Sequence, residues 1–359
     1  MKRLKVGIIG AGGIAQYAHI PSYKKSDKVE ITAIADINEE KLKYAADKFE
    51  IPRRFINWED MLDEDLDIVS ICSPNAFHAL QSIKSMESGK HVLCEKPLCL
   101  TEKEVDDVFG TSVKTGMKFM GAMPRRFSGE TAFLKKLIDK GEIGEIYYIK
   151  ASYLRRRGIP GLGSWFTNKK LAGGGPMMDI GVHAIDFIVY ITGLNQPEMV
   201  MGSSYNRLSD SAIDGGWPPM ETRKGDKFIG DMDVEEISSG FVRFKGGETL
   251  FIEAGWAGNC EPASRVSILG TKAGIQMPDP ENVKNPIRIY GETEGILTDT
   301  LPVIPKSDMF QEEINHFIEC VRENKETGTR KEEIMAVTRI INSIYKSAEE
   351  GKPVRIGER

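Results

Sequence analysis

"VGIIGAGGIA", residues 6 to 15, decides the fold. A short apolar run ends in a G-x-G-x-x-A spacing formed by Gly10, Gly12 and Ala15, and a helical pattern starts at Gly13 and Ile14. Glycines at this spacing also close ordinary turns, so the alternative is a structural turn followed by an exposed aspartate. The context favours a dinucleotide fingerprint: a strand precedes the motif, a helix follows, and the next strand ends in "AIAD" with Asp36 where a ribose-binding acid belongs. Each part has a task. Gly10 and Gly12 let the backbone approach a pyrophosphate, the helix start presents N–H groups and partial positive charge, and Asp36 accepts hydrogen bonds from ribose hydroxyls. A carboxylate at Asp36 repels a 2′-phosphate, and no arginine follows it in "DINEE", so NAD is favoured, with NADP as the alternative.

Outward from this motif, residues 1–122 alternate apolar runs ("VEITAIAD", "LDIVSICS", "KHVLCE", "KFMGAM") with helical patterns. Strands that are apolar on both faces and separated by helices predict a doubly wound parallel sheet, an α/β Rossmann arrangement. Asn38 and Thr101 suit helix N-caps, with Glu104 completing a capping box, and Gly89 and Gly116 suit C-termini. From residue 123 to 359 the rhythm changes to longer period-two runs such as "GEIYYIKASYLR" and "ETLFIEAGWAG". These predict an α+β second domain with a large, mainly antiparallel sheet. Its helices are expected over 176–192 and in two amphipathic stretches at the C-terminus, which can pack back on the first domain. The stretch 209–230 is rich in Gly, Pro and charge and reads as a long loop, either a lid or an oligomer contact.

The chain has 359 residues, 48 Lys plus Arg against 53 Asp plus Glu, and a net charge of −5 without single-sign blocks. Nothing in that balance supports a nucleic-acid partner or a membrane surface. The basic-then-apolar start resembles a secretion signal, but its apolar run is short and glycine-punctuated, and no segment approaches the ~18 to 20 apolar residues of a membrane span. A cytoplasmic protein is expected. Five cysteines without a C-x-x-C pair argue for reduced thiols, with Cys72 and Cys94 as buried packing, and no metal site is read.

Two further stretches carry chemistry. "CEKPL", residues 94–98, ends a buried strand on Glu95, Lys96 and Pro97, and an unpaired buried ammonium is costly, so Lys96 either reaches solvent or does chemistry. In "GGGPMMDIGVHAIDFIVYITG", residues 173–193, the polar residues Asp179, His183, Asp186 and Tyr190 are spaced 4, 3 and 4 apart and form one helical stripe. The stripe is either the wet side of an amphipathic helix or the lining of a cleft. It lacks Lys, Glu and Gln, which favours the cleft.

Taken together, the fingerprint, "SPNAFH" (73–78), "EKPL" (95–98) and "GGGPMMDIGVHAID" (173–186) resemble the glucose-fructose oxidoreductase, inositol dehydrogenase and MocA family of NAD(P)-dependent oxidoreductases, across nearly the whole chain and in the same order. The resemblance implies a Rossmann domain followed by an α/β domain whose open sheet serves as an interface in a homodimer or homotetramer. It implies Lys96, Asp179 and His183 as the catalytic group, with Pro97 shaping the turn that aims Lys96. It also implies Ser73, Asn75, His78 and Glu95 along the cofactor groove, with Arg125 and Arg126 of "MPRRF" beside the site.

The expected reaction is reversible oxidation of a secondary hydroxyl on a sugar, inositol or related polyol. His183 would take the proton, Lys96 stabilise the alkoxide, and Asp179 orient the hydroxyl and His183. "RRRGIPGLGSWF", residues 155–166, adds Arg155, Arg156 and Trp165 as candidate substrate contacts; the alternative is a surface basic cluster. Three rivals stand beside this reading: glycoside cleavage with tightly held NAD, a non-catalytic sugar or NAD sensor, and a biliverdin- or dihydrodiol-type reductase. The sensor would not need both Lys96 and His183, and the GGGPMMDIGVH sequence argues against the third.

Overall fold

The computed structural model describes residues 2–278 and 287–357. Its first sheet is parallel throughout and contains β1 (Leu4–Ile9), β2 (Val29–Ala35), β3 (Arg53–Phe55), β4 (Ile68–Ile71), β5 (His91–Cys94) and β6 (Phe119–Gly121). Their order is β3-β2-β1-β4-β5-β6, so the strand order reverses between β1 and β4, the place where such sheets bind ligands. Register fixes what gathers there: Ile9 pairs with Ala35 and with Ile71, and Ile71 pairs with Cys94. The turn at Gly10, Asp36, Ser73 and the Glu95–Lys96 pair therefore emerge at one sheet edge.

Around this sheet lie α1 (Ile20–Lys24), α2 (Glu39–Phe49), α3 (Trp58–Leu62), α4 (His78–Glu87) and α5 (Glu102–Thr115). The expected caps form: Asn38 Oδ1 accepts from Lys41 N at the start of α2, and Thr101 and Glu104 make the reciprocal box on α5. Gly10 has φ 94°, and a Cβ there would lie 2.6 Å from the Cys72 carbonyl oxygen, so the turn requires glycine for two reasons.

The second sheet holds β7 (Ile146–Leu154), β8 (Pro197–Tyr205), β9 (Ile237–Phe244), β10 (Thr249–Gly255), β11 (Ala263–Gly270), β12 (Gly274–Pro278), β13 (Arg288–Thr293), β14 (Ile296–Thr300) and β15 (Val354–Arg355). It is antiparallel apart from the central β7–β10 pair, which runs parallel. Inward residues such as Ile149, Val200, Val242, Leu250, Ile252 and Ile268 are buried against helices. The helices of this part of the chain are α6 (Gly129–Asp139), α7 (Lys169–Ala172), α8 (Val182–Thr192), α9 (Met309–Glu323) and α10 (Lys331–Glu350), of which α8 and α10 lie against the second sheet. Close approach of α10 to β8 depends on Gly202, where a Cβ would come 2.5 Å from the Ile344 carbonyl oxygen.

The C-terminal helices divide between the two halves. On α9, Ile314, Phe317 and Ile318 pack into one cluster with Val6, Ile8 and Ile34 of the parallel sheet, whereas Ile334, Val337, Ile341 and Ile344 of α10 join the core beneath the second sheet. This arrangement ties the halves together and leaves a cleft between them. Burying three such apolar side chains contributes roughly 1.5–3 kcal/mol each.

Candidate active site

Lys96 is aimed by the residues on either side of it. Continuing β5, Glu95 N donates to the Ile71 carbonyl at 2.9 Å, and one Glu95 carboxylate oxygen accepts from Lys96 N at 3.1 Å while the other lies 2.8 Å from His19 Nε2. The other His19 nitrogen is 2.7 Å from Ser70 Oγ, so a buried chain of polar groups runs from β4 to the lysine backbone. Burial works to raise the Glu95 pKa, but the hydrogen bond and charge of His19 and the ammonium of Lys96 hold it below the usual range. The Lys96–Pro97 peptide is cis. His78, fully buried, sits between the Pro97 carbonyl at 2.7 Å and the Ser73 carbonyl at 2.8 Å and brackets the two loops that face the cleft.

Asp179 arrives from the second half on a widened, π-type turn, Met177–Gly181, that leads into α8. Such turns are common at functional sites because they re-aim one residue out of the helical ladder. Glu235 satisfies the helix start by accepting from Gly175 N at 2.9 Å and Met177 N at 3.4 Å. Lys96 Nζ then donates to Asp179 Oδ1 at 2.7 Å and to the Asp179 carbonyl at 2.9 Å, and Trp256 Nε1 donates to Oδ2 at 3.0 Å. Burial would raise the Asp179 pKa, yet the Lys96 ammonium outweighs it and holds the carboxyl below its ordinary value. His183 lies on the next turn of the helix. Burial, with the Lys96 and Arg125 cations, pushes its pKa well below 6.5 against the pull of Asp179, so the imidazole is neutral at pH 7.

These groups face one cavity of about 920 Å³ between the halves. Ile14, Ser73, Asn75, Glu95 and Lys96 line its first-half side; Arg125, Arg155, Trp165, Asp179 and His183 belong to the other. Gly10, Gly12, Gly13 and Asp36 lie beyond this lining, in the turn and strand end that lead into it. Asp36 Oδ2 accepts from Ala11 N and Oδ1 from Asn38 N, both at 2.8 Å, which fixes the carboxylate against the glycine turn.

Three expected site residues are placed elsewhere. Arg126 is buried; its guanidinium pairs with Asp186 and with Glu333 at 2.5 Å each and stacks over Tyr190 at 4.7 Å. It is an internal ion-pair hub, and the polar stripe is accordingly split, with Asp179 and His183 at the cleft and Asp186 and Tyr190 inside. Arg156 is exposed and absent from the lining. His78 is enclosed behind the cleft. Trp256, His19 and Trp217 are residues that pattern reading missed. Trp256 directly follows an apolar strand, and His19 is a single imidazole at the end of a π-type turn, Ala15–His19, whose widening no residue pattern announces, so neither carries a sequence signal.

Cys72 and Cys94 are both buried, and burial raises their thiol pKa, so neither is a nucleophile at neutral pH.

The glycine turn fits a dinucleotide. Nothing stands within 4 Å of a Cβ built on Gly12, which leaves room for a phosphate against the backbone, and Gln16 N bonding to the Gly12 carbonyl begins the helix beside it. Residues 4–122 match the family described as "Oxidoreductase family, NAD-binding Rossmann fold", and residues 131–276 match the "GFO/IDH/MocA C-terminal domain". The chain is 30% identical to the D-glucoside 3-dehydrogenase of Escherichia coli (strain K12) over 98% of its own length and 97% of that protein. It is also 30% identical to the levoglucosan dehydrogenase of Pseudarthrobacter phenanthrenivorans, over 71% of this chain and 68% of that one. Among solved structures, the aldose-aldose oxidoreductase from Caulobacter crescentus superimposes with a TM-score of 0.79 at 25% identity, covering 99% of this chain and all of that one. A chain matched in both halves and along its full length in this way belongs to the Gfo/Idh/MocA family of NAD-binding oxidoreductases.

Proposed function

We propose that this protein oxidises a secondary hydroxyl of a sugar or related polyol, with NAD as the hydride acceptor. The observation that carries the reading is the Lys96–Asp179 contact across the two halves, at 2.7 Å, with the neutral His183 one helical turn away in the same cavity. The Gly10–Ile14 turn and Asp36 would hold NAD, which when bound would supply an electrophilic ring carbon for the hydride. His183, kept unprotonated by its surroundings, takes the hydroxyl proton. Lys96 stabilises the charge that develops on the oxygen, and Asp179, gripped by Lys96 and Trp256, fixes the lysine and the hydroxyl. Arg155 and Trp165, both in the lining, are placed to hold the remaining hydroxyls and one face of the ring. The names of the two relatives, D-glucoside 3-dehydrogenase and levoglucosan dehydrogenase, support a sugar substrate.

The test is a panel of glycosides, monosaccharides and inositols assayed with NAD and with NADP by nicotinamide fluorescence. Turnover of at least one sugar with NAD is expected. Binding without turnover across the panel would favour a sensor, and preference for NADP would remove the role given to Asp36.

The second sheet supports a homodimer or homotetramer. Its uncovered face exposes Met201, Phe241 and Leu269, each 38–39% accessible, and a second copy would cover them. Light scattering on the wild type and on Phe241→Glu checks this, with the variant expected to dissociate. No helix of the described residues is long and apolar enough to cross a membrane. The five free cysteines support a cytoplasmic location.

A further inference from the structure

The segment following β8 does something the reaction above does not use. Residues 213–229 are anchored at both ends to the second half: Ile159 N donates to the Ile213 carbonyl at 2.9 Å, Gly161 N to the Trp217 carbonyl at 2.7 Å, and Ile229 N to the Gly163 carbonyl at 2.8 Å. The segment also braces itself. Arg223 donates to the Pro218 carbonyl at 2.6 Å and forms a two-pronged pair with Asp214 at 2.6 and 3.0 Å. Between its anchors it crosses to the first half.

It lands on both elements of the dinucleotide fingerprint. At the phosphate turn, Pro218 packs so tightly on Gly13 that a Cβ there would come within 2.5 Å of it, and Trp217 meets Tyr17 edge-on at 5.6 Å. At the ribose end, two residues after Asp36, Asn38 Nδ2 donates to the Lys224 carbonyl at 3.1 Å, and Gly225 lies against the same side chain. Beyond it, Lys41 Nζ pairs with Asp226 at 2.5 Å and Lys224 Nζ sits 4.0 Å over the Tyr44 ring. A segment that merely closed a loop would not make separate contacts at Gly13 and at Asn38–Lys41.

We propose that residues 213–229 are a strap forming the outer wall of the NAD site, so that the nucleotide enters and leaves only when the strap releases α2. The second half thereby contributes to cofactor binding as well as to catalysis. NADH release is then governed by the Lys41–Asp226 and Asn38–Lys224 attachments, which lie away from the catalytic group. This inference rests on the family's NAD-binding domain and not on the identity of the sugar.

The experiment measures NADH release by stopped-flow fluorescence, displacing bound NADH with excess NAD, in the wild type, in Asp226→Lys and in the charge-swapped pair Lys41→Asp with Asp226→Lys. An exposed ion pair contributes little, and its reversal more, so Asp226→Lys is expected to release NADH about three- to tenfold faster at an unchanged melting temperature. The swapped pair is expected to return to within about twofold of wild type. Amide hydrogen exchange over 217–226 is expected to slow when NADH binds. Wild-type or slower release from Asp226→Lys, no recovery in the swapped pair, or exchange at 217–226 indifferent to NADH would each overturn the strap.

Discussion

Lys96 Nζ and Asp179, 83 positions apart in the chain, are joined twice, through the carboxylate at 2.7 Å and through the main-chain carbonyl at 2.9 Å. Neither sheet could make this contact alone. It follows from β5 ending at the sheet edge where the glycine turn and Asp36 also emerge, and from a π-type turn that swings Asp179 out of its helix toward that edge.

Trp256→Phe tests the far side of the same carboxylate. An aromatic ring is kept, while the fused ring that carries the N–H on Asp179 Oδ2 is lost from a fully buried position. A hydrogen bond to a charged group contributes about 1.5–3 kcal/mol, so kcat/KM is expected to fall about tenfold or more while NADH affinity is unchanged. Wild-type kcat/KM in this variant would show that Asp179 needs no second support.

The pH profile follows from His183. Its pKa lies well below 6.5 because of burial and of the Lys96 and Arg125 cations, so the imidazole remains unprotonated as pH falls through 6.5 and gains its proton only below it. The acid limb of kcat/KM for oxidation is therefore expected below pH 6.5. Arg125→Met removes one of the cations and is expected to move that limb upward. A limb at or above 6.5 in the wild type would contradict the assignment.

Arg126 and Arg156 are expected to separate by stability. Truncating Arg126 to Ala leaves Asp186 and Glu333 without their partner in the interior, at a cost of about 3–5 kcal/mol. Arg156→Ala, at the surface, is expected within about 0.5 kcal/mol of wild type. Denaturant titration of both variants decides it.

Glu313 on α9 is buried, and its Oε1 has no hydrogen-bond partner among the described residues. Burial, together with the nearby Glu95 carboxylate, raises its pKa well above 4.5 in the folded protein. The unfolded chain therefore loses this proton first, and the stability held by the protonated form is lost as pH rises from 4.5 through the folded value. Glu313→Gln cannot ionise. It is expected to stabilise the fold at pH 8 by about 1–3 kcal/mol and to have little effect near pH 4.5, as read by thermal melts.

The fold was legible because its signals are local. Doubly apolar strands, Asn38 and Thr101 caps, and the glycine turn each act within a few residues, and all of them form as expected. The site was legible in part. Helical spacing put Asp179, His183, Asp186 and Tyr190 in one stripe but could not say where the cleft ends, because that is decided by Arg126, 60 residues from Asp186, entering the interior. Trp256 and His19 were invisible for the same reason: their partners, Asp179 and Glu95, are 77 and 76 positions away. The segment 209–230 announced only that it was a long loop, since its landing on Gly13 and Asn38 depends on how the two halves meet.

The central claim is that Lys96 and His183 act together on a sugar hydroxyl, and turnover of the best panel sugar by Lys96→Ala and His183→Ala, with NADH affinity measured in parallel, tests it most directly. Each variant is expected to lose about 10²- to 10⁴-fold in kcat while binding NADH nearly as the wild type does. Either variant turning over the sugar at close to the wild-type rate would contradict the account.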